Sequence, residues 1–202
     1  MNYFVTAIGT DSGKTLVSAI LTEMLHADYW KPVQSGAPRD TETVRALVTN
    51  EQSKFYKETF LLKTPASPHA AARIDGVEIT IDQIVPPISN RNLIIEGAGG
   101  VMVPLNDEEV ILDMVPKLNA EIVLVSNLYL GSINHTLLTA EVIKSRGYGV
   151  KGIIFNGPSN EESERIILLK TGYRQLLKVP QEPVINKEIV KKYAEKLSAC
   201  WD

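Results

Sequence analysis

Strands alternating with helices along most of the chain predict an α/β fold, a mainly parallel sheet with helices on both faces. Three observations carry this expectation. Apolar runs of strand length recur at residues 3–8, 92–95, 121–126 and 149–155. The segments after them place apolar residues at helical spacing, as in Leu16, Val17, Ile20, Leu21, Met24 and Leu25. The first strand also runs directly into a glycine-rich turn that opens the first helix.

At 202 residues the chain is expected to form one domain over residues 1–202. With 44% hydrophobic and 22% charged residues it reads as an ordinary globular protein, and no apolar run is long enough to span a bilayer. The start lacks a basic, signal-like region, so a cytoplasmic location is expected. Cys200 is the only cysteine, which excludes an internal disulfide and a cysteine metal cluster. A net charge of −3 makes nucleic acid an unexpected partner, and no membrane partner is expected.

The turn is Gly9-Thr10-Asp11-Ser12-Gly13-Lys14-Thr15. Set between strand and helix, it suits a phosphate-binding loop, because converging backbone N–H groups, a helix N-terminus and an ammonium group are what a phosphate needs. Lys14 supplies the ammonium and Thr15 a hydroxyl for Mg²⁺. The loop is a variant of the pattern G-x-x-x-x-G-K-[ST], since Ile8 stands where the first glycine belongs and Gly9 is one residue late. This makes the expected fold a P-loop NTPase type with a variant Walker A loop.

A second strand is predicted at residues 29–33, leading into Gln34-Ser35-Gly36. Lys31 there is either a strand-edge charge or, at the ligand-binding end of an open sheet, a functional group. Residues 40–50 predict a helix capped by Asp40 or Thr41. Residues 64–69 form a turn into a helix of small residues, and a short helix opening at Thr80 is expected to end at Pro86-Pro87. The strand at 92–95 runs into Glu96-Gly97-Ala98-Gly99-Gly100, where a carboxylate at a strand end followed by glycines suits a second Mg²⁺ ligand. Further helices are read at 110–118, from 130 to 147, at 161–171 and at 187–199, with a short strand ending at Val179-Pro180. The free N–H groups opening the long helix near residue 131 can hold an anion. Asn156, at a strand end, either holds a turn or pairs with a purine edge.

Taken together, Gly-Thr-Asp-Ser-Gly-Lys-Thr, Lys31-Pro32-Val33-Gln34-Ser35-Gly36, Ser67-Pro68-His69, residues 96–100 and the stretch from Leu130 to Ala140 resemble the dethiobiotin synthetases over nearly the whole chain. That resemblance implies ATP- and Mg²⁺-dependent carboxylation of 7,8-diaminononanoate by CO₂, then ring closure through a carbamate and a carbamic-phosphoric anhydride. It implies Lys14 and Lys31 as catalytic groups, and Thr10, Ser35, Gly131, Ser132, Ile133 and Asn134 as substrate contacts. ATP would lie against Asp11, Ser12, Gly13, Lys14, Thr15, Leu16, Asp40, Glu96, Gly97, Ala98 and Gly99, with Asn156, Gly157, Val179, Pro180 and Gln181 at the base. Mg²⁺ would be held by Thr15, Asp40 and Glu96, with Glu42 a nearby competitor for the Asp40 place. A homodimer with the substrate site at the subunit interface is implied too. Another class of reading is a regulatory ATPase of the ParA/MinD type, but the extra lysine such proteins carry early in the loop is missing from residues 7–12.

Overall fold

The computed structural model describes residues 1–201. In chain order its elements are β1 (Asn2–Ala7), α1 (Lys14–Leu25), β2 (Asp28–Trp30), β3 (Val33–Ser35), α2 (Asp40–Leu47), β4 (Phe60–Leu62), α3 (Pro68–Asp75), β5 (Leu93–Gly100), α4 (Met114–Leu118), β6 (Ala120–Asn127), α5 (Ser132–Ser145), β7 (Val150–Asn156), α6 (Glu161–Thr171), β8 (Gln175–Val179) and α7 (Lys187–Ser198). Short 3₁₀ turns lie at Ile81–Gln83 and Ile111–Asp113.

Six strands form one sheet in the order β2-β5-β1-β6-β7-β8, and every pairing in it is parallel. Side chains on a strand alternate between the two faces, so each strand feeds two cores. Tyr3, Val5 and Ala7 of β1 pack with Val17, Ile20 and Leu21 of α1 and with Val190 and Leu197 of α7. Phe4, between them, belongs to the opposite core with Ala71 of α3, Met114 of α4, Ile143 of α5 and Ile167 of α6. Burial on both faces explains why the strands read as continuous apolar runs rather than as alternating ones.

From β1 the chain moves outward to β2 and returns through β5, whereas from β6 it progresses the other way. The loop after β1 therefore lies where strand order reverses, at the carboxyl ends of the strands, which is where open α/β sheets bind ligands.

Three local expectations are corrected. The single strand expected at residues 29–33 is two, because Pro32 has no N–H for a ladder; β3 leaves the main sheet and pairs in parallel with β4, a strand the sequence pattern did not reveal. The helix expected at 40–50 ends at Leu47, and its N-cap is Arg39 rather than Asp40 or Thr41. The turn after Thr80 is a single 3₁₀ turn that stops at Gln83, before the prolines. Among the described residues no helix is long and apolar enough to cross a membrane.

Candidate active site

The loop between β1 and α1 is held open by its own bonds. The Gly9 carbonyl accepts from Ser12 Oγ at 3.2 Å and from Lys14 Nζ at 2.9 Å, so the residue that departs from the usual spacing is the loop's internal anchor. Gly13 takes φ 97° as the N-cap of α1, a conformation that L side chains avoid. Lys14 is buried, and its pKa is lowered to about 8, first by burial and then by the charge of Lys31.

Lys31 lies just past β2, immediately before Pro32. It is 4% exposed, and its three N–H donors are all engaged: 2.8 Å to Asp40 Oδ2, 3.0 Å to Glu96 Oε1 and 3.2 Å to the Gly97 carbonyl. Burial works to lower the Lys31 pKa, but the carboxylates of Glu96 and Asp40 outweigh it and the group stays an ammonium, with its pKa raised. Glu96 is not at the end of its strand, as the sequence pattern suggested; β5 continues through the glycines to Gly100. Its second oxygen accepts from the buried Tyr29 hydroxyl at 2.9 Å. Burial, followed by the charge of Glu96, raises the Tyr29 pKa well above the ordinary value, which keeps the phenol a donor.

The Thr15 hydroxyl is 3.2 Å from Asp40 Oδ1 and 3.0 Å from Glu96 Oε1. One hydroxyl proton can satisfy only one of them, so three oxygens converge with negative charge in excess. Asp40 is aimed there from the first turn of α2, whose Asp40 N–H donates to Gln34 Oε1 at 3.0 Å. Glu42 faces away, paired with Arg45 at 2.8 Å and Arg39 at 3.5 Å. Among the described residues no three His, Cys, Asp or Glu side chains gather to hold a metal ion by themselves.

Lys14, Thr15, Lys31, Gln34, Asp40 and Glu96 line one cavity of about 760 Å³ that also takes in Thr10, Asp11, Gly13, Ser35, Ala98 and Gly99. The far wall is a segment of residues 65–68. Gly36, at φ 70°, admits it, because a Cβ there would come within 2.7 Å of Pro65. The Ser35 hydroxyl is buried with no hydrogen-bond partner among the described residues.

The remaining candidates lie elsewhere. Asn156 ends β7 beside Val179, and the N–H of Gly157, just past the strand, donates to the Val179 carbonyl at 2.8 Å, with Pro180 and Gln181 exposed beyond. Leu16 is half-buried on α1, and Gly97 packs against Phe4, facing the core rather than the cavity. Gly131, Ser132, Ile133 and Asn134 open α5 and line no part of the cavity; Gly131, at φ 106°, is its N-cap.

A family model described as an AAA domain matches residues 1–189. A protein of Cytophaga hutchinsonii named ATP-dependent dethiobiotin synthetase BioD is 60% identical over 201 residues, 98% of each chain. The chain belongs to the dethiobiotin synthetase family. A protein of the same name from Christiangramia forsetii is 49% identical over 197 residues, 96% of this chain and 95% of the other. The fold is that of P-loop ATPases. The cell division ATPase MinD of Pyrococcus furiosus matches with a TM-score of 0.60 at 14% identity, covering 98% of both chains. A ParA family ATPase of Chlorobium tepidum matches with a TM-score of 0.56 at 11% identity, covering 98% of this chain and 94% of the other.

The sequence pattern marks neither Tyr29 nor Gln34 for the support they give Glu96 and Asp40. A tyrosine in an apolar strand looks like core, and only the pairing of β2 with β5 sets its hydroxyl against Glu96.

Proposed function

We propose that the chain closes the ureido ring of dethiobiotin from 7,8-diaminononanoate and CO₂ at the expense of ATP, in the cavity beneath the loop of residues 9–15. The observation that carries this reading is the convergence of two ammonium groups, Lys14 and Lys31, with Thr15, Asp40 and Glu96 about one cavity. One amine of the substrate adds to CO₂, giving a carbamate and releasing a proton. A carbamate oxygen attacks the γ-phosphorus of ATP and ADP leaves. The second amine attacks the carbamic carbon and gives up a proton, expelling phosphate and closing the ring. Negative charge develops at each step, and the second brings a carbamate anion against the triphosphate, so the rate comes chiefly from fixed positive charge and alignment.

Lys14 releases the Gly9 carbonyl for the phosphates, and the N–H groups of residues 11–16 cradle them. Lys31 meets the carbamate. To do so it must exchange one of its acceptors, and Asp40, whose side chain is 28% exposed against 1% for Glu96, is the one free to yield. Thr10 and the unpartnered Ser35 hydroxyl face the substrate's amines. The oxygens of Thr15, Asp40 and Glu96 are hard donors that fit Mg²⁺ together with phosphate oxygens and water, and this arrangement supports the ion as cofactor. When bound, the ion neutralises phosphate charge as it develops. Asn156, Gly157, Val179, Pro180 and Gln181 border the adenine.

The substrate's tail carboxylate is assigned to the helix N-terminus at Gly131, Ser132, Ile133 and Asn134 of a neighbouring subunit in a homodimer. In support, Met102 and Leu138 are 52% and 58% exposed on a groove of about 400 Å³ that also reaches Gly9 and Thr10.

The test is incubation with diaminononanoate, bicarbonate, Mg²⁺ and ATP, followed by mass spectrometry for dethiobiotin. Phosphate release without that product would overturn the reading.

A further inference from the structure

We propose that Asn156 is a positioning residue for the phosphate loop and acts on the phosphates of ATP through it. The inference rests on the reading above that residues 9–15 hold those phosphates. Asn156 is the last residue of β7 and is paired on both sides, with Asn127 of β6 and Val179 of β8, so its backbone is fixed by the sheet. From that position its side-chain Nδ2 donates to the Ser12 carbonyl at 3.1 Å. The amide also lies against Gly13: a Cβ at that glycine would stand 2.2 Å from Nδ2 and 2.8 Å from Cγ. The glycine is thus required by the close approach of Asn156 as well as by its own φ of 97°.

In a planar trans peptide the C=O and N–H point in opposite directions. Anchoring the Ser12 carbonyl on Asn156 turns the Gly13 N–H away from Asn156, on a residue that lines the cavity beside Lys14 and Thr15. That N–H lies at the N-terminus of α1, where free donors face an anion. Were the peptide to flip, an acceptor would replace the donor and repel a phosphate. The bonds of Ser12 Oγ and Lys14 Nζ to Gly9 lie inside the loop and move with it. Asn156 ties the loop to the sheet instead. With one amide proton committed to Ser12, the residue favours any nucleoside triphosphate through its phosphates, whatever the base.

The experiment compares wild type with Asn156→Ala and Asn156→Asp, neither of which can donate to Ser12 as a neutral amide does. Hydrogen exchange is followed by mass spectrometry on the nucleotide-free protein, and binding of ATP, CTP and inorganic tripolyphosphate is measured by calorimetry. The proposal expects faster exchange in peptides covering residues 9–16 with exchange in α5 and β6 unchanged. It also expects the affinity for tripolyphosphate, which has no base, to fall about tenfold for one lost hydrogen bond and its ordering, and those for ATP and CTP to fall by at least as much. Unchanged loop exchange, or a loss confined to ATP, would overturn it and leave a base contact only. A wild-type chain that binds none of the three ligands would instead refute the phosphate-loop reading and the proposal with it. If Asn156→Ala does not fold, Asn156→Asp, which keeps the side-chain volume, gives the same readouts.

Discussion

Replacing Lys31 by methionine removes a charge from between two carboxylates while retaining the stem that packs beside them. Lys31 is 4% exposed and Glu96 1%, so Glu96 is left as a buried anion with only the Tyr29 and Thr15 hydroxyls as hydrogen-bond partners and no directly paired cation. Breaking a buried ion pair from one side costs about 3–5 kcal/mol. Because those hydroxyls remain and Asp40 is 28% exposed on its side chain, the lower end, about 3 kcal/mol, applies here. In a chain of this size each kcal/mol moves Tm by about 2–4 °C, so Lys31→Met is expected to melt roughly 6–12 °C below wild type without nucleotide or Mg²⁺. Added Mg²⁺ should recover part of that loss by supplying a cation to the same carboxylates. Dethiobiotin formation should fall by about 10²–10³, the usual effect of removing a group that stabilises developing negative charge. ATP affinity should change little, because Lys14 and the loop are untouched. The assays are differential scanning fluorimetry and product mass spectrometry on the same preparations. A Tm within about 2 °C of wild type would refute the buried-charge argument, and near-normal turnover would remove Lys31 from the mechanism.

Glu96→Gln and Asp40→Asn should each shift the Mg²⁺ titration of activity to higher concentration while Glu42→Gln leaves it in place, since Glu42 is turned to Arg39 and Arg45; equal shifts for Asp40 and Glu42 would contradict the assignment. Glu23 accepts from the Thr49 hydroxyl at 2.5 Å, the Thr49 N–H at 2.7 Å and the Asn50 N–H at 3.1 Å; burial raises its pKa, but these hydrogen bonds, the Thr49 hydroxyl first, outweigh that and lower it from the ordinary 4.5. Between the lowered folded value and 4.5 the unfolded chain binds more protons, so this stabilisation is present above 4.5 and is lost as pH falls through the folded value. Denaturant midpoints of wild type should therefore drop more steeply than those of Glu23→Gln as pH falls below 4.5, and parallel curves would refute it. Sedimentation of the wild-type chain should give a dimer that Leu138→Glu dissociates, whereas a wild-type monomer at working concentration would remove the shared substrate site.

The phosphate loop, the alternation of strands and helices and the candidates Lys31 and Glu96 were all legible without coordinates, because each depends on neighbours in sequence. A strand, a glycine turn and a helix are written within a few residues, and buried parallel strands are apolar throughout. From its neighbours Asp40 reads only as a possible cap, and its place at the site came with the resemblance; Arg39 caps α2 instead, and the Asp40 side chain is turned toward Lys31 and Thr15. Which of Asp40 and Glu42 turns toward Thr15 depends on how α2 packs against α1 and α7, a packing fact with no signature in the spacing.

What the sequence determined by itself was the set of parts: an α/β chain, a variant phosphate loop with Lys14, and the candidate groups Lys31, Asp40 and Glu96. Tertiary structure alone decided how they meet. The order β2-β5-β1-β6-β7-β8 brings Tyr29, Lys31 and Glu96 together across 65 and more residues of chain, and puts Asn156 against Ser12. Strand order is set by burial summed over the whole sheet, and a short run of residues carries no record of its partner's register. The chemistry of each group could be read from its type, and its charge environment only from the sheet that collects them.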